Sequence, residues 1–316
     1  MPDTPTYSWQ LLRAGRFKLD GGGMFGVIPR VVWSRTNPPD EKNRIQVQHN
    51  CLLLEATGGG GPILLECGTG NKLDAKMREI FDLEDRWVGD ALGEVGTACE
   101  AIRHVVVSHL HFDHAGGLTR LPREGEDVTA LPGAHGPHRV ALSFPNAEVI
   151  VQRREWQDAV ANNSVMTRTY YPDHLEPIEK QLRLIDSPPP YAEGRAPGRE
   201  QDPATALEDR LTEVLPGVFV FLVPGHTWGQ QATLFRDDQG RTVVFTPDLM
   251  PTAAHVGQTY SLSYDVEPYM SMVCRRWFLR EAAARDWLLV LDHEPGNPLR
   301  RVRANAKGWF DLVEEV

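Results

Sequence analysis

The densest group of potential metal ligands in this sequence lies in the segment S-H-L-H-F-D-H-A-G-G at residues 108–117. It places three imidazoles and one carboxylate within six residues, directly after the apolar run at 105–107. Nitrogen and carboxylate donors at this density suit a first-row divalent metal, above all zinc. Solvated loop residues are the alternative, which we disfavour because adjacent buried ionisable groups would be costly without a metal. The segment therefore predicts a metal site whose first ligands are His109, His111, Asp113 and His114.

Three more potential ligands each follow a short apolar stretch elsewhere in the chain. They are His226 in P-G-H-T-W-G, Asp248 in P-D-L-M-P and His293 in D-H-E. Each alone could be a turn residue or a core histidine. Together with the first cluster they make seven donors, enough for two metal ions that share a carboxylate. His135 and His138 lie in a stretch rich in proline and glycine, and we expect them to be surface residues.

A pair of divalent ions held by these donors would supply a nucleophile. Two such ions lower the pKa of a bridging water toward neutrality, and the resulting hydroxide can attack a carbonyl or phosphoryl centre. Asp113 could orient that nucleophile or return a proton to the leaving group, which makes it the candidate catalytic residue. The sequence contains no G-x-S-x-G, so a serine nucleophile is not indicated.

Short apolar stretches and helical patterns predict the elements that position these residues. A hairpin is expected around 307–308, and residues 17–44 are expected to be irregular because glycine is frequent there. Other strands are expected at 45–56, 62–67, 102–108, 147–152, 217–222, 231–236, 242–246 and 287–291. Helices are expected within 71–96, at 153–161 and at 270–285. Most of the candidate ligands therefore lie directly after a predicted strand, at the edge of a sheet.

The composition is that of a globular protein with an excess of acidic residues. With 33 Lys and Arg against 43 Asp and Glu, the formal net charge is −10, which argues against a nucleic-acid partner. No run approaches the roughly 18 apolar residues of a membrane span, so we expect no membrane association. The start of the sequence lacks a basic segment followed by an apolar one, and we expect no signal peptide and a cytoplasmic location.

The four cysteines are widely spaced and form no C-x-x-C pair. We expect them to be reduced and buried, forming neither disulfides nor a thiolate zinc site. The length is compatible with one large domain. We therefore expect a single domain over residues 1–316, with proline-rich loop excursions near 121–146 and 187–203.

The seven donors together match the motif order of a known family. H-x-H-x-D-H followed by a later His, Asp and His resembles the metallo-β-lactamase superfamily, from about residue 44 to residue 294. The resemblance implies an α/β fold, an αβ/βα sandwich of two mixed β-sheets flanked by helices. It also implies that Asp248 bridges two metal ions, one bound by His109, His111 and His226 and the other by Asp113, His114 and His293.

Within that superfamily the chain is similar to the N-acyl homoserine lactone lactonases. The shared pieces are S-H-L-H-F-D-H-A-G-G, V-Q-R-x-E at 151–155, P-G-V at 216–218 and P-G-H-x-x-G-Q at 224–230. Pro251 stands where those lactonases have a tyrosine three residues beyond the bridging Asp. Glu66 stands where they have the Asp of an early V-D-T-G turn. The stretch 248–255 resembles instead a less characterised branch of the superfamily's hydrolases.

From the residues and the resemblance we predict a dinuclear metal-dependent hydrolase. It would use a metal-bridging hydroxide on a small ester-like substrate, with a lactone favoured. The expected cofactors are two Zn²⁺ ions, although Fe, Mn or Co would fit the same ligands. The expected partner is a small-molecule substrate, and a homodimer is compatible with the sequence. Candidates for the wall of the substrate pocket are Met24, Phe25, Met250, His255 and Tyr264.

Several other activities are compatible with the same ligands. Aryl esters, phosphotriesters, β-lactams and thioesters are alternative substrates for a hydrolase. From a different class, an iron-dependent oxidoreductase such as a persulfide dioxygenase would use the same fold with one iron. His111 favours hydrolysis, because the iron redox members of the superfamily carry Glu at that motif position. A nuclease is opposed by the acidic charge, and a non-catalytic metal-binding module by the complete set of donors.

Overall fold

The structure is a computed structural model that describes residues 5–131, 139–161, 169–191 and 202–315. His135 and His138, with parts of both predicted excursions, lie outside these ranges. The described strands are β1 (Tyr7–Asp20), β2 (Arg44–Ala56), β3 (Ile63–Leu65), β4 (His104–Val106), β5 (Thr119–Arg120), β6 (Thr129–Ala130), β7 (Arg139–Leu142), β8 (Glu148–Gln152), β9 (Leu182–Ile185), β10 (Thr212–Leu215), β11 (Val218–Leu222), β12 (Gln231–Arg236), β13 (Thr242–Thr246), β14 (Leu288–Leu291), β15 (Leu299–Ala304) and β16 (Phe310–Glu314). The described α-helices are α1 (Gly21–Phe25), α2 (Arg30–Trp33), α3 (Ala75–Phe81), α4 (Val88–Glu94), α5 (Phe112–Ala115), α6 (Arg153–Ala161), α7 (Pro172–Leu175) and α8 (Pro268–Ala284).

The chain forms two compact units. Unit 1 takes its described residues from 1–6, 18–47 and 186–316, and unit 2 takes its own from 7–17 and 48–185. The single domain expected from the sequence stays a prediction. Among the described residues, no helix is long and apolar enough to cross a membrane.

Unit 2 is built on a six-stranded mixed sheet in the order β1-β2-β3-β4-β8-β9. Strands β2 and β3 form the antiparallel pair that the sequence predicts, and β3, β4, β8 and β9 run parallel. Leu65 lies opposite Val106, which lies opposite Ile150. Because parallel strands in this register end at one edge, the residues that follow β3, β4 and β8 emerge together.

The core of unit 2 explains why these strands are almost entirely apolar. Val105, Val107 and Val149 are fully or almost fully buried and share one cluster with Leu92 of α4 and Ala159 of α6. A parallel sheet covered by helices needs apolar residues along its strands. Burying one valine or leucine side chain contributes about 1.5–3 kcal/mol, so the cluster holds the strand ends firmly in place.

Unit 1 is built on a seven-stranded mixed sheet in the order β10 to β16. Strands β13 and β14 are parallel, and the other neighbours are antiparallel. Helix α8 contributes Trp277 and Phe278 to a core that also contains Phe221 and Leu289. The hairpin expected around 307–308 is confirmed as the pairing of β15 with β16.

Three expectations about elements need correction. The helix expected within 71–96 is two helices, because Asp82 adopts a left-handed conformation, φ 45°, and ends α3. The 14-residue strand β1 was not predicted. Residues 17–44 contain the short helices α1 and α2. The four cysteines are buried, as expected.

Candidate metal centre

The H-x-H-x-D-H segment lies in unit 2, after the carboxyl end of β4. His109 and His111 lie in the turn that follows the strand, and Asp113 and His114 lie on α5. All four side chains are buried, with 0% to 7% of their surface exposed. Four ionisable side chains buried side by side need a compensating partner, which a divalent cation would supply.

The donor atoms of this segment face one another. The Nε2 atom of His109 lies 3.1 Å from Nδ1 of His111, and Nε2 of His114 lies 4.0 Å from Oδ1 of Asp113. The ring centroids of His109 and His114 are 3.9 Å apart. Ser108 Oγ contacts Nδ1 of His109 at 3.0 Å, so Nε2 is the nitrogen turned toward His111. Unit 2 therefore holds three imidazoles and one carboxylate as a compact group.

Glu66 follows β3, and its side chain contacts both ends of the segment 108–114. The backbone N–H of Ser108 donates to its Oε1 at 2.5 Å. Its Oε2 lies 3.1 Å from Nδ1 of His114. The carboxylate is buried, so both contacts are made away from water.

A second buried carboxylate, Glu155 of α6, holds the middle of the same segment. The backbone N–H of Leu110 donates to its Oε1 at 3.0 Å, and the hydroxyl of Tyr170 donates at 3.3 Å. Burial, together with the neighbouring Glu155 carboxylate, raises the pKa of Tyr170 well above its ordinary value. The phenol therefore stays protonated and can donate.

Two glycines that follow the last candidate ligand allow the backbone to pack directly against the turn at residues 67–69. A Cβ on Gly116 would lie 2.1 Å from the carbonyl oxygen of Thr69, and one on Gly117 would lie 2.1 Å from that of Cys67. No side chain fits so close an approach of two backbones.

Lys72 is buried beside the same turn. Its ammonium donates to the carbonyl oxygens of Gly116 and, at 2.6 Å, of Thr119. Burial lowers the pKa of Lys72 to about 7, an effect that the carboxylate of Asp173 partly opposes. The lysine therefore holds the chain just beyond α5.

In unit 1 the register of two parallel strands brings two candidate ligands together. Thr246 at the end of β13 lies opposite Leu291 at the end of β14. Asp248 lies two residues beyond Thr246, and His293 lies two residues beyond Leu291. The two side chains therefore emerge side by side. Strand β11 ends at the same edge, because β11 and β13 are both antiparallel to β12, and His226 lies in the loop that follows it.

The carboxylate of Asp248 faces two histidines through its two different oxygens. Nε2 of His226 lies 3.1 Å from Oδ2, and Nε2 of His293 lies 3.4 Å from Oδ1. Asp292 offers a further carboxylate oxygen within 4.8 Å of ligand atoms of Asp248 and His293. These four side chains are buried.

His226 is fixed by a buried carboxylate on its other side. Its Nδ1 atom lies 2.9 Å from Oδ1 of Asp265. The second oxygen of Asp265 accepts the backbone N–H of Leu262 at 3.2 Å, and the backbone N–H of Val266 donates to the carbonyl oxygen of His226 at 3.1 Å. The contact with Asp265 leaves Nε2 of His226 for Asp248 or a cation.

Most of the candidate pocket residues are buried. Met24 and Phe25 lie in the core of unit 1, because α1 folds Phe25 between Trp33 and His255, with ring centroids 5.0 Å and 4.9 Å away. Met250 is also buried.

His255 uses both ring nitrogens inside unit 1. Nδ1 contacts Thr252 Oγ1 and Nε2 contacts the carbonyl oxygen of Met24, each at 2.8 Å. Tyr264 is half-buried, its ring centroid is 5.9 Å from that of His226, and its hydroxyl donates to Met24 Sδ at 2.6 Å. The pocket assignment stays a prediction, and Tyr264 is its most accessible member.

The donor sets of both units fit a divalent cation. In each unit, buried imidazole nitrogens lie beside carboxylate oxygens, the ligand types that zinc and its neighbours prefer. The histidines that face carboxylates on their outer side have the arrangement usual for metal-bound imidazole.

Comparison with known proteins identifies the class. The sequence profile of the metallo-β-lactamase superfamily matches residues 44–293, which is most of the chain, and the chain belongs to that superfamily. An N-acyl homoserine lactonase from Bacillus thuringiensis is 27% identical to it over 210 residues. That match covers 63% of this chain and 62% of the relative, so the chain spans less than two thirds of the curated relatives it matches.

Solved structures support the same fold. A probable metal-dependent hydrolase from Staphylococcus aureus aligns over 99% of both chains with a TM-score of 0.74 and 22% identity. AidC, a dizinc quorum-quenching lactonase solved with a product, aligns over 99% of both chains with a TM-score of 0.70 and 18% identity. The expected fold class is confirmed.

Sequence reasoning missed several residues of the candidate site. Asp292 stands directly before His293 after a predicted strand, and that position was a usable signal. Glu155 was noticed only as part of V-Q-R-x-E, and Glu66 only as a departure from a motif. Asp265 carries no local signal, since it lies 39 residues from the histidine that it contacts.

Proposed function

We propose that this protein is a metal-dependent hydrolase in which the seven candidate donors bind one pair of divalent cations, with zinc favoured. The ligands are those expected from the sequence, with Asp248 shared between the ions. Family membership supports this, because the matched residues 44–293 include every one of the seven donors.

One observation carries the proposal. A single buried carboxylate, that of Asp248, faces Nε2 of His226 with one oxygen and Nε2 of His293 with the other. A carboxylate that presents its two oxygens to two different imidazoles could, when cations are bound, share its oxygens between them. A core aspartate that only caps a turn would bond backbone N–H groups instead.

The substrate that we propose is a small ester-like molecule, with a lactone favoured. The curated relatives that support this are N-acyl homoserine lactonases. When bound, a pair of divalent cations makes hydroxide available at neutral pH and polarises the carbonyl group. Asp113 accepts or returns the proton at its carboxylate oxygens, which lie on α5 beside His114.

The test is a substrate screen with protein whose metal content has been measured. Lactones, aryl esters, phosphotriesters, β-lactams and thioesters are compared, and hydrolysis of lactones is expected to be fastest. Asp113→Asn should lower kcat by about 100-fold or more, since general acid–base groups contribute about 100- to 10,000-fold. His104→Gln is the matched control, because His104 lies on β4 outside the ligand set.

Two results would contradict the proposal. Protein that holds about two metal ions per chain and hydrolyses none of these substrates would exclude a hydrolase of this type. Protein purified with about one iron per chain, and oxidising persulfides, would indicate an oxidoreductase instead.

A further inference from the structure

Glu66 has an unusual backbone conformation for its residue type. It follows β3 with φ 68°, in the left-handed region, while its amide N–H donates to the carbonyl oxygen of Val106 at 3.1 Å. Residues with a Cβ rarely adopt this conformation unless their surroundings require it. The contacts of the Glu66 side chain account for this conformation.

The side chain contacts both ends of the ligand segment. Ser108, immediately before His109, donates its backbone N–H to Oε1 at 2.5 Å. His114, the last ligand of the segment, lies with Nδ1 3.1 Å from Oε2. One carboxylate therefore closes the turn that carries every candidate ligand of unit 2.

The contact with His114 also decides which ring nitrogen can bind a metal. A carboxylate accepts hydrogen bonds and cannot donate them when ionised, so Nδ1 of His114 carries the proton. Nε2 is then the nitrogen with a lone pair, and it is the one that faces Asp113 at 4.0 Å. An outer carboxylate of this kind orients a metal-binding imidazole and raises its basicity.

We propose that Glu66 is a positioning residue that fixes the tautomer of His114 and closes the 108–114 turn on a metal ion. This inference rests on the proposed function for the presence of the metal.

The first test is the tautomer itself, measured on the wild-type protein. Long-range ¹H–¹⁵N correlation spectra of the zinc-loaded protein report the protonation of each ring nitrogen. We expect Nδ1 of His114 to be protonated and Nε2 to be metal-bound. A His114 that is protonated at Nε2 would overturn the inference, and this readout depends on no substitution.

The second test compares variants by zinc affinity and by the absorption spectrum of the cobalt-loaded protein. Glu66→Gln keeps the size of the side chain but offers one acceptor for two donors, and Glu66→Asp shortens it. We expect both to weaken zinc binding by about 10- to 100-fold and to change the cobalt spectrum. Unchanged affinity and spectrum in folded Glu66→Gln would overturn the inference.

A matched control separates positioning from general stability. Asp237 is a buried carboxylate of unit 1 that accepts the backbone N–H of Arg241 at 2.8 Å and its Nε–H at 2.7 Å. It follows β12 at the edge of the sheet opposite to that of Asp248. Asp237→Asn should destabilise the metal-free protein and leave zinc affinity unchanged.

A wild-type protein that binds no metal would contradict the proposed function. If the wild-type and Glu66→Gln proteins bind metal equally well, only the role of Glu66 is contradicted.

Discussion

At the scale of single residues, we expect the buried carboxylates behind the histidines to influence how tightly a metal binds. Asp265 accepts from His226 with one oxygen and from the backbone of Leu262 with the other. Asp265→Asn has one acceptor for these two donors, so one of them loses its partner. We expect zinc affinity to fall by about 10- to 100-fold, measured by competition with a chelator.

The control for that substitution lies two residues further along the chain. Glu267 accepts the indole N–H of Trp228 at 2.8 Å. Glu267→Gln keeps an oxygen for this bond and should leave zinc affinity unchanged. Equal affinity of the Asp265→Asn and wild-type proteins would show that this carboxylate does not orient His226.

His255 predicts a pH dependence of stability. Burial lowers the pKa of His255 to about 4 in the folded protein, from an ordinary value of about 6.5. The unfolded chain therefore binds more protons between these values, and stability falls as the pH falls from about 6.5 to about 4, by up to about 3 kcal/mol. His255→Gln should reduce this loss in urea unfolding measured across that range.

The comparison variant for His255 is Thr252→Val. It removes a hydrogen-bond partner of the ring but no titrating group. We expect it to lower stability at every pH while keeping the dependence on pH. A His255→Gln protein whose stability changes with pH as steeply as the wild type would show that other groups cause the dependence.

The seven candidate donors stand out in the sequence because they are chemically distinctive residues that follow apolar stretches. Their carboxylate partners do not, since those contacts join residues far apart, such as Glu66 and His114 at a separation of 48 residues. The burial of Phe25 could not be read from the sequence for a related reason. A glycine-rich stretch gives no sign that Asp20 will cap a helix, through the N–H of Gly23, and fold the phenylalanine inward.

At the scale of elements, the strand ends position the site, and their backbone packing can be tested. A Cβ on Gly117 would lie 2.1 Å from the carbonyl oxygen of Cys67, which cannot move aside as a flexible side chain would. Gly117→Ala should lower the free energy of unfolding by about 3 kcal/mol, measured by chemical denaturation.

Gly93 provides the matched control for this substitution. It lies within α4, and a Cβ there would meet no atom within 4 Å. Gly93→Ala should raise the free energy of unfolding by about 0.5–1 kcal/mol, because alanine favours a helix. A Gly117→Ala protein as stable as the wild type would show that the turn has room for a side chain.

The strands around the site were predictable because parallel, covered strands are short and apolar. The helix expected within 71–96 was not predicted correctly, since its apolar spacing continues past the point where the chain turns. Asp74 caps α3 through the N–H of Met77, and Asp82 ends it in a left-handed conformation. The residue type alone does not show whether an aspartate begins a helix, lies within it or ends it.

At the scale of the whole molecule, the proposal assigns the seven donors to one metal centre. A metal that binds only the folded protein stabilises it by about 4 kcal/mol when the free metal exceeds its dissociation constant about 1,000-fold. His109→Ala and His293→Ala should each remove much of this stabilisation. The double variant should lose little more, because both act on one centre.

Additive losses in the double variant would indicate two separate sites. The stabilisation by zinc is measured as the difference between thermal unfolding with and without zinc. It is measured for the wild type, for the two single variants and for the double variant. The metal-free proteins serve as references, since each substitution also changes the stability of the chain itself.

The most direct test of the central claim is X-ray diffraction from crystals of the zinc-loaded protein, recorded at the zinc absorption edge. We predict two anomalous peaks, each within about 2.0–2.2 Å of nitrogen or oxygen atoms of the seven donors. The carboxylate of Asp248 should contact both peaks. An absence of peaks, or peaks that do not contact Asp248, would contradict the account.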